Sequence, residues 1–513
     1  MPAQLPLEIW TAIISHLPKD NLYKLLGINR TVFDYVMDSL YEEIEYVIEW
    51  DTRVVRGPNV KQLKYHPSLA ERAKSLRINI PFPASKINYH RGPFVGMVRH
   101  VGEKISSKRD TKAMASLTPD STVASHLTRV ERLQISISDP PVYKPFVPYI
   151  TTFWTCHSSN LRKLYLQFDL PALYTLMSPL MSLQVPTLPH LTEFGFYTYN
   201  TEGTWLKLTA NAKQIAAMTS WLTSLITSSR VLETLYLVLP EEIDTTHLFT
   251  RLAKTPQTGL RSFIFSQSSG KDSFPKDNAL SVFLEAHCKC ALQSVVLEPL
   301  YRASSRKDTL ISEKRPYLEW LKESFASLEL PSLRVLQIAL PAYLGEECYI
   351  DSCGKSFLSK ASQGLDVLVL VGIAVRTRHI RLLFDSPNPE LRKLSLFIEE
   401  LTPECLEVLA WHLPSLEVLE LSFDCLGIEE DPGVIRPLNT KDYDLFTSRL
   451  RHFRNTDWSL KYLILKVFDC HYEFPSQLIT EPLSDRLPMT TIRIKDTSQD
   501  SYFKLEEDEF LNM

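Results

Sequence analysis

The chain has 513 residues, of which 44% are hydrophobic and 23% charged, and a net charge of −4. That length exceeds what one compact core supports, so the chain must divide into domains or repeat a small unit. The composition is that of a globular protein, and the slight acidity excludes a nucleic-acid surface spread over the whole chain.

Eight scattered cysteines, with no basic and apolar leader at the start, predict reduced thiols in the cytoplasm or nucleus rather than a disulfide framework. The longest apolar run, "LDVLVLVGIAV" at 365–375, is too short to span a bilayer and carries Asp366. Glycine is scarce, with 15 residues, and proline plentiful, with 33. That balance disfavours Gly-rich phosphate loops and predicts many short elements with stiff connections.

In chain order, "PLEIWTAIISHL" at 6–17 predicts a first helix. Pro6 suits its first turn, and Glu8 sits near its positive end. Leu7, Ile9, Trp10, Ile13, Ile14 and Leu17 fall on one half of the helical wheel. Pro18 ends it. Asp20 or Asn21 can cap a second short helix carrying Leu22, Leu25 and Leu26. Asn29 can cap a third, along which Val32, Phe33, Val36, Met37, Leu40 and Ile44 recur at helical spacing. So small a unit cannot hide this much apolar surface by itself. The pattern predicts either a docking module or a helical cap on a larger domain.

The segments "LPLEI", "II", "LP", "LYKLL" and "INR", in this order between residues 5 and 30, resemble an F-box of the fungal type. The resemblance covers residues 5 to about 48, within an F-box module expected over residues 1–48. It implies helices that bind the Skp-type adaptor of a cullin-RING ubiquitin ligase. Carried over position by position, it implies Leu5, Pro6, Ile9, Ile13, Ile14, Leu17, Leu22, Leu25 and Ile28 as adaptor contacts or their immediate supports. Asn29 and Phe33 stand where many members of the family have Cys and Trp, and they preserve a cap and a large aromatic.

Past residue 50 an apolar-x-x-apolar-x-apolar pattern recurs. Its clearest copies are "LRKLYL" (161), "LTEFGF" (191), "LETLYL" (232), "LRSFIF" (260), "LQSVVL" (292), "LRVLQI" (333), "LDVLVL" (365), "LRKLSL" (391), "LEVLEL" (416) and "LKYLIL" (460). Weaker copies begin at 73, 130 and 489. Alternation over the second half of each copy predicts a short strand whose fourth and sixth positions point into a core. Stretches such as "TPECLEVLAWHL" at 402–413 predict returning helices. Successive starts differ by 25 to 44 residues, against about 20–29 for a regular leucine-rich repeat. The expected fold class is therefore α/β: a three-helix N-terminal module followed over residues 49–495 by an irregular leucine-rich-repeat solenoid, a parallel strand ladder with outer helices. Residues 82–126, with the basic run "GEKISSKRDTK", predict an insertion, and residues 496–513 an acidic tail.

Catalytic patterns are missing from the sequence: there is no HExxH, GxSxG, Walker or paired CxxC motif. His287, Cys288 and Cys290 lie close together, as do Cys348 and Cys353, but neither group has the second spaced pair that a structural zinc needs. His412 falls in a helix-to-strand turn and predicts a structural role. The expectation is a protein with no chemistry of its own, no cofactor and no metal, that binds no nucleic acid and no membrane.

The resemblance implies a substrate-recognition subunit of an SCF-type ubiquitin ligase, holding an adaptor at one end and a target protein on its strand ladder. A scaffold that binds the adaptor without engaging a cullin, a leucine-rich-repeat interaction protein with no ligase role, and an enzyme built from the insertions remain open alternatives. The fifth position of each copy faces away from the core on the strands. Tyr165 and Tyr236, with Val367, Val369 and Val371 of the copy at 365, are the expected target-binding residues.

Overall fold

The computed structural model describes residues 6–18, 21, 24, 27–28, 30–49, 54–56, 60–80, 121–137, 146–169, 187–199, 212–239, 243, 245–268, 278–300, 328, 330–339, 364–384, 390–431, 434–438, 442–453, 458–467 and 476–496. The chain divides into two compact units, Met1–Pro240 and Glu241–Met513. Both are α/β, with a parallel strand ladder and helices returning between strands.

In the first unit the strands are β1 (Glu43–Glu49), β2 (Val54–Arg56), β3 (Ser75–Ile80), β4 (Arg132–Ile137), β5 (Lys163–Asp169), β6 (Glu193–Tyr199) and β7 (Thr234–Leu239). They pair in parallel in the order β1–β3–β4–β5–β6–β7, and β2 lies antiparallel on β1. In the second unit they are β8 (Ser262–Ser268), β9 (Ser294–Leu300), β10 (Val335–Ala339), β11 (Val367–Val375), β12 (Lys393–Leu401), β13 (Val418–Asp431), β14 (Val434–Pro437), β15 (Tyr462–Val467) and β16 (Thr491–Asp496). Here the parallel order is β8–β9–β10–β11–β12–β13–β15–β16, with β14 antiparallel on β13.

Every clear copy of the sequence pattern supplies one strand, and its first, fourth and sixth positions are buried. In the copy at 161, Leu161, Leu164 and Leu166 are buried while Arg162 and Lys163 are exposed. The copy at 391 repeats this with Leu391, Leu394 and Leu396 inside. The backbone locks the register in the same way between successive clear copies within each unit. The N–H groups at the second and third positions both donate to the second-position carbonyl of the preceding copy. Arg162 and Lys163 reach Glu131 O at 2.7 and 3.0 Å, and Arg392 and Lys393 reach Asp366 O at 2.9 Å each. The weak copy at 489 departs from this packing: Met489 is exposed, and Ile492 and Ile494 are only half-buried.

Helices pack on the face that carries the fourth and sixth positions. Phe249, on the helix Thr246–Lys254, lies edge-on to Phe263 and Phe265 of β8 and also meets Phe283 of the helix Ala279–Cys288. Thr402 caps the helix Pro403–His412 by accepting from the Cys405 N–H, with Pro403 in the first turn as helix-start chemistry prefers.

Two expectations change. Ile44 does not extend the N-terminal helix, which ends at Tyr41; it is a buried residue of β1. Tyr41, Ile44 and Tyr46 are all buried and form a further copy, "YEEIEY", of the repeated pattern. The ladder thus begins directly on the end of the helix Arg30–Tyr41. The expected insertion at 82–126 also gives way at its end. Ser121–Ser125 form a helix with Val123 and Ala124 buried, whereas residues 81–120 lie outside the described residues, as do Cys348, Cys353 and the tail from 497.

Candidate functional site

The N-terminal helix Leu7–Ser15 is capped by Pro6, whose carbonyl accepts from the Ile9 and Trp10 N–H groups at 3.1 and 3.2 Å. Ile14 is its inward residue. It packs with Val32 and Val36 of the helix Arg30–Tyr41, and Trp10, Tyr35 and Leu40 close around that small core. Ile14 therefore supports the surface rather than forming it. Ile9 and Ile13, one turn apart beside Ile14, and Leu17 just past the helix end are exposed by 46%, 45% and 36%. Ile28 and Phe33 are exposed as well, by 51% and 41%, and Pro6 lies in water. Leu5, Leu22 and Leu25 lie outside the described residues, as does most of the expected second helix.

This helix pair is fastened to the ladder. The guanidinium of Arg72, the last residue of a short 3-10 turn at Pro67–Arg72, donates to Asp38 Oδ1 at 2.6 Å, to Asp34 Oδ1 at 3.0 Å and to the Asp34 carbonyl at 3.2 Å. A planar fork on two carboxylates holds direction as well as distance. The Tyr41 hydroxyl adds a bond to Gln62.

The fifth positions of successive copies stand opposite one another as the sequence implied. In the first unit the row reads Glu45, Arg77, Gln134, Tyr165, Gly195, Tyr236. In the second it reads Ile264, Val296, Gln337, Val369, Ser395, Glu420, Ile464, Arg493.

Tyr165 and Tyr236 belong to a cluster that fifth-position reasoning alone could not assemble. Tyr165 is 9% exposed and donates its hydroxyl to Glu193. The Tyr236 ring stacks on Tyr197, with centroids 6.4 Å apart, and lies 6.4 Å from Tyr165. Burial, then the Glu193 charge, pushes the Tyr236 phenol up to about 12. Gly195 makes the cluster possible: a Cβ there would stand 2.7 Å from both Tyr165 Cδ1 and Tyr197 Cε2. Glu193, Lys163 and Arg132 occupy the third positions beside these rings, and Tyr197 a seventh. Strand alternation puts positions three, five and seven on one face, so the signal was present in the sequence.

On β11 of the second unit, Val367, Val369 and Val371 share one face and are half-buried. They stand opposite Val335, Gln337 and Ala339 of β10. On the same face Gln337 Nε2 donates to Glu298 Oε1 at 2.7 Å, and burial raises the Glu298 pKa above the usual carboxylate range. The folded chain therefore holds the Glu298 proton more tightly than the unfolded chain does. Its stabilising contribution is full below the ordinary carboxylate pKa and fades as pH rises through the raised value. Glu298→Gln keeps an acceptor for Gln337 and removes the ionisation. Its melting temperature is expected to exceed that of the native chain above the raised pKa, with the gap closing as pH falls toward the ordinary carboxylate range.

The thiol–imidazole group resolves as structural. His287 is buried, its Nε2 accepts from the Gln257 N–H at 3.1 Å, and its Nδ1 lies 2.8 Å from the Phe283 carbonyl. Both ring nitrogens are thus occupied by backbone. Burial raises the neighbouring Cys288 thiol to about 12, far from a reactive thiolate. Among the described residues no group of acidic, histidine and cysteine side chains could hold a metal ion, and no helix is long and apolar enough to cross a membrane. No protein-family profile matches the chain, and no curated protein matches its sequence.

Proposed function

We propose that this chain is the target-binding subunit of an SCF-type ubiquitin ligase, with an F-box at its N-terminus and leucine-rich repeats behind it. The observation that carries the reading is the exposure of Ile9, Ile13, Leu17 and Ile28, on and beside a helix pair whose inner side is already packed. Burying one such side chain is worth about 1.5–3 kcal/mol, so the set together can outweigh the cost of association. In this reading a Skp-type adaptor covers that face and joins the chain to a cullin-RING assembly. The Arg72 clamp then keeps the docked end at a fixed angle to the strands that follow it. The exposed faces of the strand ladders hold the target protein. The contribution to ubiquitin transfer is proximity, with no chemical step on this chain.

The test is reconstitution from purified components. Co-elution of the full-length chain with a Skp-type adaptor and a cullin is the expected result. Co-elution with the adaptor alone would make the chain a cullin-independent scaffold, and co-elution with neither would overturn the proposal.

A further inference from the structure

The third positions of β3, β4, β5 and β6 read Ser75, Arg132, Lys163 and Glu193 across the sheet. Arg132 and Lys163 therefore stand directly opposite each other, and like charges so placed destabilise a sheet unless something compensates them. Lys163 is compensated by Glu193 at 2.7 Å. The next cation along, Arg77, is held by Glu45 at 3.3 Å and by Gln134 at 3.2 Å. Arg132 has no carboxylate partner among the described residues. Its guanidinium lies over the Tyr165 ring, 5.5 Å from the centroid. Stacking on an aromatic face fixes the plane of the fork and leaves its N–H donors along the edges. Ser75, opposite Arg132, makes no side-chain hydrogen bond among the described residues. The nearby carboxylates are engaged already, Glu193 by Lys163 and the Tyr165 hydroxyl, Glu45 by Arg77.

We propose that Arg132, with Ser75 beside it and the Tyr165–Tyr197–Tyr236 cluster as its wall, binds an anionic side chain of an extended polypeptide, a carboxylate or a phosphate monoester. The planar fork matches two acceptor oxygens, the serine hydroxyl offers a third donor, and the aromatic rings take an apolar neighbour of the anion. A nucleic acid fits poorly. Glu43, Glu45 and Glu193 flank the site on the same face, tolerate a single anion and repel a continuous polyanion. This inference deepens the proposed function, since it rests on reading that face as the side that meets a target.

The experiment is fluorescence anisotropy of the full-length chain with four labelled probes: a nonapeptide alternating Glu and Ser, the same peptide with phosphoserine for Glu, the same with Lys for Glu, and a nine-nucleotide thymidine strand. The anionic peptides are expected to bind, and the stronger of the two identifies the anion. The lysine peptide and the oligonucleotide are expected not to bind. Arg132→Gln should weaken the anionic peptides about tenfold, the worth of one charge-assisted hydrogen-bond pair, at an unchanged melting temperature. Ser75→Asp provides a second route that needs no loss of Arg132: its carboxylate should occupy the fork and block the peptides. Equal binding by both variants, no binding of either anionic peptide, or tighter binding of the oligonucleotide would overturn the proposal. Adaptor capture measured on the same samples separates the two readings. Its loss with peptide binding intact would sink the ligase role and leave this site standing.

Discussion

Replacing Ile9 and Ile13 with Asp is expected to reduce affinity for a Skp-type adaptor about a thousandfold while leaving the fold intact. Both side chains already sit in water, at 46% and 45% exposure, so the aspartates stay solvated in the free chain. Docking would bury two charges against apolar surface at a cost of several kcal/mol, and each 1.4 kcal/mol is a factor of ten. Ile14→Asp is the contrasting control. Ile14 is 2% exposed and packs on Val32 and Val36, so that charge should melt the helix pair itself. Circular dichroism, a thermal melt and a titration with purified adaptor read all three states. An Ile9→Asp, Ile13→Asp chain that binds the adaptor as tightly as the native one would remove the basis for the F-box reading. If it unfolds instead, the exposed face is part of a packed cap.

The largest stability effect is expected at Phe249. Its ring lies 5.1 Å from Phe265, 5.3 Å from Phe283 and 6.0 Å from Phe263, and it is fully buried. Phe249→Ala deletes the ring through which the helix Thr246–Lys254 grips both β8 and the helix Ala279–Cys288. The lost transfer energy and the cavity left behind together cost about 3–5 kcal/mol. For a unit of this size that lowers the melting temperature by about 10 °C. Adaptor binding should not change, because Phe249 belongs to the second compact unit and the exposed helix face to the first. A shift of less than about 3 °C would mean that this aromatic cluster is not what holds the outer helix on the strands.

The ladder was legible because its signal is local. A single copy shows its alternation within six residues, and burial of Leu164 and Leu166, or of Leu419 and Leu421, follows the sequence position by position. "YEEIEY" was missed for a physical reason: Ile44 continues the helical spacing of Val36 and Leu40, so the same residue satisfies two periods. Only the break at Glu42, where the carbonyl accepts from Lys74 and Ser75 at 2.8 and 3.0 Å, decides for the strand. The exposed helix face was half legible. Helical spacing grouped Ile9, Ile13 and Ile14 together, but it could not say that Ile14 turns inward, because its partners Val32 and Val36 come from another helix. The environment of Arg132 was not legible at all. Whether a cation is paired depends on cross-strand neighbours about thirty residues or more away, Lys163 and Ser75, and on how the connections bring them into register.

Hydrogen–deuterium exchange of the full-length chain, with and without saturating purified Skp-type adaptor, tests the central claim most directly. The account predicts slowed exchange in the helices Leu7–Ser15 and Arg30–Tyr41 and unchanged exchange in the strands from β4 to β16. Protection confined to the strands, or no protection anywhere at adaptor concentrations that saturate a known F-box, would contradict it.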